Sequence, residues 1–267
     1  MAKGFGQYET TTFPASRLAT FDVTAVGLNK HHVTALVELD VAAARQKIVS
    51  LKEQNYKVSF NAWILKCISE AVSQFGEVHG VKKGKRQVVI FKDVDISMVI
   101  EREVQGQKVP LPYVIRGTNN KSIEQIYDEI EVGKKQPLQD AGDNVLGEKQ
   151  NTFLMKLYYM LPGFIRRSIW QYIIRNPFLT KQLMGTVVVT SVGTAGKVNG
   201  WVIPIGVHPL CFALGSIVQK PGVVDGRIEI REYLCMTVLV DHDVIDGAPA
   251  VRFLSKLTEL VEDGYGL

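Results

Sequence analysis

The stretch TVLVDHDVIDGAPAVRFL, Thr237 to Leu254, decides how the chain is read. Its first half is an apolar run of strand length and its second half places apolar residues at helical spacing, so it reads as strand, tight corner and helix. The corner carries His242 and, four residues on, Asp246, with Gly247 directly behind the carboxylate. A loop between a strand and a helix can hold a side chain in a fixed, exposed pose. Imidazole is the group best suited to take a proton near neutral pH once one ring nitrogen is oriented by a hydrogen bond. A histidine behind an apolar strand can equally be a packing residue satisfied by a backbone carbonyl, and the corner alone leaves both readings open. Gly247 is expected to give the backbone freedom behind Asp246, and Asp246 to fix the loop or a ring nitrogen.

Outward from the corner, 267 residues with 46% hydrophobic content suffice for one large domain. No linker composition divides the chain, so a polar arm at 1–13 is followed by a single domain at 14–267. With 31 basic and 27 acidic residues the net charge is +4, which gives no argument for nucleic acid. Cys67, Cys211 and Cys235 are scattered in apolar surroundings without metal-ligand spacing. They read as reduced core residues of a cytoplasmic protein, and no metal is expected. The start, MAKGFGQYETTTF, lacks an apolar signal core, so secretion is not expected. Trp201 to Val218 carries no charge, but Pro204, Gly206, His208, Pro209 and Gly215 interrupt it. It reads as a buried pair of strands rather than a membrane helix.

In chain order, alternation predicts a strand over His32 to Val41 and a helix capped by Asp40 that ends near Asn55. Ser59 to Gly80 is a helix whose face is Ile64, Leu65, Ile68, Ala71, Val72 and Phe75. Lys82, Lys83, Lys85 and Arg86 form a basic turn, either a solvated hairpin tip or an attractor of phosphate. A strand follows at Val109 to Arg116. Ser122 then starts a helix with Glu124 and Glu129 early and Lys134 and Lys135 late, the order that the helix dipole favours.

The spaced residues His242, Asp246 and Gly247 resemble the H-x-x-x-D-G signature of the catalytic domain of dihydrolipoamide acyltransferases, core subunits of 2-oxoacid dehydrogenase complexes. Pro221, Asp225, Gly226, Arg231 and Met236 match residues that precede this signature in the family. Gly185, Thr186, Thr190, Ser191 and Gly193 are similar to its G-T-x-x-x-S-N-x-G strand and turn. The resemblance implies an α/β fold, a two-layer sandwich whose mixed β-sheet is flanked by helices, chloramphenicol acetyltransferase-like and trimer-forming. It implies a coenzyme A-dependent acyltransferase in which His242 takes a proton from a thiol or hydroxyl nucleophile that attacks a thioester. Thr190 stands in the place of the family's serine and keeps a hydroxyl donor for the oxyanion, a contact typically worth roughly 3 kcal/mol of barrier. Ser191, Gly193 and Gly247 are implied at the substrate and coenzyme A site. Asp246 is implied as an orienting carboxylate, and an arginine near the N-terminus, here Arg17, can pair with it; otherwise Arg17 is a solvated charge.

The same resemblance implies a homotrimer or a larger assembly of trimers, with the histidine from one chain and the hydroxyl from its neighbour. The family's lipoyl domain has no counterpart in the sequence, so the acyl group is expected from acyl-coenzyme A or from a lipoyl group on a separate carrier protein. Departures are Asp243, where many members carry Arg, and Gly76 and His79, where Pro and Asn are usual; His79 is read as structural. His31 and His32 are nearest to a histidine that often opens the family's first strand. Two other readings are a small-molecule O-acetyltransferase of the chloramphenicol type and a non-catalytic trimeric scaffold.

One segment departs from the family. After a polar loop at Pro137 to Gln150, the insertion at about 151–184 holds Lys156, Arg166, Arg167, Arg175 and Lys181 and no acidic residue, a local charge of +5. Pro162-Gly163 and Asn176-Pro177 divide it into two or three short helices. Phe153 to Met184 can pack on the domain or between subunits, line a channel for a long acyl group, or lie on a membrane surface; packing is the favoured reading.

Overall fold

The structure, a computed structural model, describes residues 6–12, 16–104, 107–135, 157–193 and 199–267. Its elements in chain order are α1 (Ser16–Gly27), β1 (His32–Asp40), α2 (Ala42–Glu53), α3 (Phe60–Gln74), β2 (Val81–Lys83), β3 (Gln87–Val89), β4 (Ile96–Val104) and β5 (Gln107–Ile115). Beyond these come α4 (Ile123–Lys135), α5 (Gly163–Arg175), α6 (Pro177–Met184), β6 (Val187–Ser191), β7 (Leu210–Val224), β8 (Arg227–Asp241) and α7 (Gly247–Glu262). Six strands make one mixed sheet in the order β1-β8-β7-β6-β4-β5, in which β6 runs parallel to both neighbours.

Local chemistry sets the element ends. The Ser59 hydroxyl accepts from the Ala62 N–H at 3.1 Å and starts α3. Ser122 and Gln125 bond reciprocally ahead of α4, a capping box. Asp40 closes β1 and its Oδ1 accepts from the Ala42 N–H at 3.0 Å, one residue ahead of the cap position itself, which Val41 holds without a side-chain cap bond. Asp225 and Gly226 have φ of 49° and 76°, the left-handed pair that a two-residue hairpin needs, and they join β7 to β8.

One face of the sheet carries Val187, Val189, Phe212, Leu214, Leu234, Met236, Val238 and Val240 against α2, α3, α4 and α7. Alternate residues face the other way. Of these Cys211, Ala213, Cys235, Thr237, Leu239 and Asp241 are also buried. The segment 200–209 covers them: the Trp201 indole donates to the Val37 carbonyl at 3.0 Å, and Gly206 abuts Cys211. The uncharged stretch from Trp201 is therefore one strand, β7, preceded by irregular chain, not a pair of strands. Pro204 and Pro209 lack the N–H that a ladder requires, and Val202, Ile203 and Ile205 are exposed.

The described part of the insertion packs on α1. The buried Asp22 carboxylate accepts from Arg166 Nε at 2.6 Å and from the Tyr158 hydroxyl at 3.0 Å. Trp170 in turn donates to the Tyr158 oxygen. Residues 136–156, including Lys156 and the polar loop, lie outside the described residues. Among the described residues no helix is long and apolar enough to cross a membrane.

Two histidines hold the layers together in neutral form. His79, completely buried, meets Thr186 Oγ1 at 2.7 Å and the Phe91 carbonyl at 3.1 Å, and His208 meets the Met184 carbonyl at 3.1 Å. Burial lowers the pKa of each to about 4. The unfolded chain takes up these protons below about pH 6.5 while the folded chain refuses them. Stability is therefore expected to fall as pH drops from 6.5 to 4, by on the order of 3 kcal/mol per histidine. Urea midpoints across that range should show the fall, and His208→Gln should reduce it by about half, the His79 share remaining. Thr237 Oγ1 is buried with no hydrogen-bond partner among the described residues. Desolvating an unpaired hydroxyl costs about 1–3 kcal/mol, so Thr237→Val should leave the melting temperature unchanged or raise it.

Candidate active site

The corner after β8 is held from several sides. The Asp241 N–H donates to the Pro209 carbonyl at 2.9 Å, and the Asp241 carbonyl accepts from Val244 and Ile245 N–H. Buried Ile245 fastens the far side of the turn to the core. Between these points the His242 N–H donates to the His31 carbonyl at 2.9 Å. The imidazole is left exposed, with no hydrogen-bond partner among the described residues. The backbone is thus fixed while the ring faces outward.

Two carboxylates flank His242 and each has a cation. Asp241 Oδ2 meets Lys30 Nζ at 2.6 Å, with the aspartate side chain 3% and the lysine side chain 19% exposed. Asp241 Oδ1 also accepts from the Asp243 N–H at 3.2 Å. Asp243 meets His31 Nδ1 at 2.9 Å and Lys82 Nζ at 3.3 Å, and the hydrogen bond from His31, then that from Lys82, holds its carboxyl below the usual range. The pairs of Asp243 are solvent-exposed and of a kind worth about 0–1 kcal/mol. Removing one partner of a buried pair costs about 3–5 kcal/mol, so the Lys30 to Asp241 contact is the firmer of the two anchors.

Asp246 takes the N-cap position of α7 but makes no side-chain cap bond, and its carboxylate is exposed. It has no ion pair among the described residues, and Arg17 instead sits with its guanidinium 5.7 Å from the Phe21 ring centroid. The geometry explains this separation. Arg17 lies in the first turn of α1, about 15 Å of helix away from the turn of Lys30 and His31 that touches the corner. Gly247 is the first residue of α7, is not in the left-handed region, and a Cβ there would meet nothing within 4 Å. The backbone freedom expected of it is not used, and its side opens on free space beside His242.

Thr190, Ser191 and Gly193 gather at the end of β6. Thr190 is half-buried, and neither its hydroxyl nor that of Ser191 has a partner among the described residues. Gly193 is a close-approach glycine, since a Cβ would lie 2.0 Å from the Gly215 carbonyl oxygen. Registers place Thr190 opposite Ala213 and Ala213 opposite Thr237. His242 is five residues beyond Thr237 and two strands across, so about 16 Å along the sheet and about 10 Å across it separate the two groups. The structure does not bring Thr190 and His242 of one chain together.

The other candidates have fixed employment. His32 meets the His208 carbonyl at 2.9 Å and burial lowers its pKa. In the basic turn Lys82 bonds Asp243 and Lys83 lies 5.5 Å from the Phe178 ring centroid, so these two exposed lysines reach the corner and the insertion. Lys30 and Asp241 carried no signal in the sequence, because only the pairing of β1 with β8 brings them together. No group of three metal-ligating side chains occurs among the described residues.

Comparison with known proteins gives the corner its context. The chain matches the family described as 2-oxoacid dehydrogenases acyltransferase (catalytic domain) over residues 19–139 and 180–267. The match omits Arg17 and most of the insertion. The mitochondrial dihydrolipoyllysine-residue succinyltransferase component of the Bos taurus 2-oxoglutarate dehydrogenase complex is 25% identical over 93% of this chain and 46% of its own. The lipoamide acyltransferase component of the branched-chain alpha-keto acid dehydrogenase complex of Bacillus subtilis is 23% identical over 95% of this chain and 55% of its own. The chain thus spans about half the length of these relatives. Among solved structures, the cubic core of the pyruvate dehydrogenase multienzyme complex superposes with a TM-score of 0.69 at 18% identity, covering 98% of this chain and 94% of that one. Azotobacter vinelandii dihydrolipoamide acetyltransferase, whose mechanism was probed at a serine, a histidine and an asparagine four residues beyond it, gives 0.67 at 18% identity, covering 98% and 94%. Chloramphenicol acetyltransferase gives 0.50 at 13% identity, covering 95% of each chain. The family match takes in both the His242 corner and the Thr190 strand, and the chain belongs to the 2-oxoacid dehydrogenase acyltransferase catalytic-domain family.

Proposed function

We propose that this chain transfers an acyl group between a thioester, acyl-coenzyme A or acyl-dihydrolipoamide, and a thiol or hydroxyl acceptor. The observation that carries the reading is His242 itself, an exposed imidazole on a corner whose backbone is bonded on both sides. His242 removes the proton of the incoming thiol as its sulfur bonds to the thioester carbonyl carbon. The tetrahedral oxyanion accepts a hydrogen bond from Thr190. As the old carbon–sulfur bond breaks, the imidazolium returns its proton to the leaving thiolate. Ser191 and Gly193 shape the oxyanion side, and the open space beside Gly247 receives substrate. Asp246 has the four-residue spacing from His242 that the asparagine of the Azotobacter enzyme has from its histidine. Its carboxylate is free to orient substrate or a neighbouring chain. Coenzyme A is a substrate in this reading, and a lipoyl group would arrive on a carrier domain.

The distance between Thr190 and His242 in one chain supports a site whose second group comes from another copy. A homotrimer satisfies this, each interface pairing one chain's His242 with its neighbour's Thr190. The β7–β8 arm supports the assembly: Val223, Ile228 and Ile230 are 76–79% exposed, and the register sets Val223 opposite Ile228 and Pro221 opposite Ile230 on one face. An aliphatic strip on a two-stranded arm is a surface that a partner covers.

Acyl transfer from a panel of acyl-coenzyme A donors to dihydrolipoamide, or to a free hydroxyl acceptor, tests the reading. His242→Ala should lose about 10²–10⁴-fold in kcat, and Thr190→Val about 10²–10³-fold. Co-expressed in equal amounts, the two inactive chains should recover about a quarter of wild-type turnover per site, because half the interfaces hold an intact His242 and half of those an intact Thr190. No recovery would place both groups of one site in the same chain. Activity only toward a hydroxyl acceptor would assign the O-acetyltransferase type. A wild type as inert as His242→Ala would leave a scaffold. The double variant Ile228→Glu, Ile230→Glu should sediment as a monomer that keeps its helical circular dichroism and loses transfer.

A further inference from the structure

Asp241 and Lys30 lie outside the H-x-x-x-D-G spacing and have no role in the acyl-transfer steps above, yet they form the buried ion pair next to His242. Lys30 follows α1 in a turn closed by its own N–H on the Gly27 carbonyl at 3.0 Å. The next residue, His31, supplies the carbonyl that receives the His242 N–H. Two consecutive residues of one turn therefore hold two consecutive residues of the corner, one by charge and one through the backbone. Register places this contact one step beyond the last pair of the β1–β8 ladder, His32 with Asp241. Past that pair no ladder constrains the chain. The Asp241 side chain organises the turn in place of a ladder, because its Oδ1 receives the Asp243 N–H across the histidine.

We propose that Lys30 is a positioning residue for His242, acting through Asp241, and that this pair does the work that the signature's aspartate was expected to do with Arg17. The proposal rests on the acyl-transfer reading for its kinetic consequence but not for its structural one. Asp246 has no cap bond and no ion pair among the described residues, so it does not fix the corner within the chain. The groups around the imidazole are Asp241 and Lys30, Asp243 with His31 and Lys82, and Asp246. Of these contacts only that of Lys30 with Asp241 is shielded from water. Loss of the lysine leaves a buried carboxylate to find water. The turn from Asp241 to Ile245 must then open for it, and the imidazole leaves its line of attack.

The test compares Lys30→Met, Lys30→Arg and the double variant Lys30→Met, Asp241→Asn with the wild type. Three measurements are made: kcat and KM for acetyl transfer to dihydrolipoamide, amide hydrogen exchange of the peptide spanning 241–247, and the melting temperature. Lys30→Met is expected to lower kcat about tenfold to a hundredfold, as a small misplacement of a reacting group does, with KM unchanged and faster exchange across the corner. Lys30→Arg restores both. The double variant, with no unpaired charge, regains melting temperature but not kcat. Wild-type kcat and exchange in Lys30→Met overturn the proposal, as does a double variant that recovers kcat together with stability. If the wild type transfers no acyl group, the acyl-transfer reading fails by itself, and unchanged corner exchange in Lys30→Met remains the result that overturns the positioning role.

Discussion

The antiparallel pairing of β1 with β8 is the constraint on which the rest depends. Nine consecutive residue pairs, from His32 with Asp241 to Asp40 with Tyr233, set the register. A slip of one residue would turn Met236, Val238 and Val240 away from the helices and put Thr237 and Asp241 into the core. The same pairing ends at the corner, so that whatever fixes the sheet also fixes where His242 emerges. Lys30 and His31 lie on the chain just before β1, and Asp241 and His242 at the end of β8, so all four meet at one end of the ladder. Sheet and site are thus one construction, with the apolar layer behind it and the polar corner at its margin.

Much of this was legible in the sequence because it is written in local chemistry. The helix that starts at Ser59 and the one that starts at Ser122 were both read from patterning within a few residues, and both form. His79 was read as structural, and the buried ring bonded to Thr186 and Phe91 has that role. The mixed sheet flanked by helices followed from resemblance carried by spaced residues from Gly185 to Gly247. What failed did so for identifiable reasons. Trp201 to Pro209 is apolar enough for a strand, yet its prolines exclude a ladder, and it serves as a cover on the sheet instead. Gly247 was given a backbone reason, whereas its observed conformation is open to any residue and only the space beside it is special.

Long-range electrostatics is the part that sequence reading cannot reach. Lys30 and Asp241 are 211 residues apart, and each looks like an ordinary charge in its own neighbourhood. Asp243 stood out only as a departure from the family, and its meaning depends on His31 and Lys82 converging on it from two other elements. An arginine at that position would repel Lys82 and compete for the same space. The departure and its partners therefore belong together: a carboxylate at 243 is compatible with the ring nitrogen of His31 and the ammonium of Lys82, and it draws the β2 hairpin to the site.

The insertion obeys the same logic of charge placed against a buried partner. Packing on the domain was the favoured reading of it, and two of its cations are committed in that way, Arg166 to Asp22 and Lys181 to Asp95. Both aspartates are nearly inaccessible. A buried carboxylate demands a partner more strongly than an exposed cation demands a surface, so these two contacts determine where α5 and α6 lie. Phe178 then meets Phe91 edge to face, with a ring-centroid separation of 6.1 Å, while Lys83 approaches its ring. The insertion is thereby fastened both to α1 and to the hairpin whose Lys82 reaches Asp243. A segment that looked peripheral in the sequence is tied, through one hairpin, to the residue directly after His242.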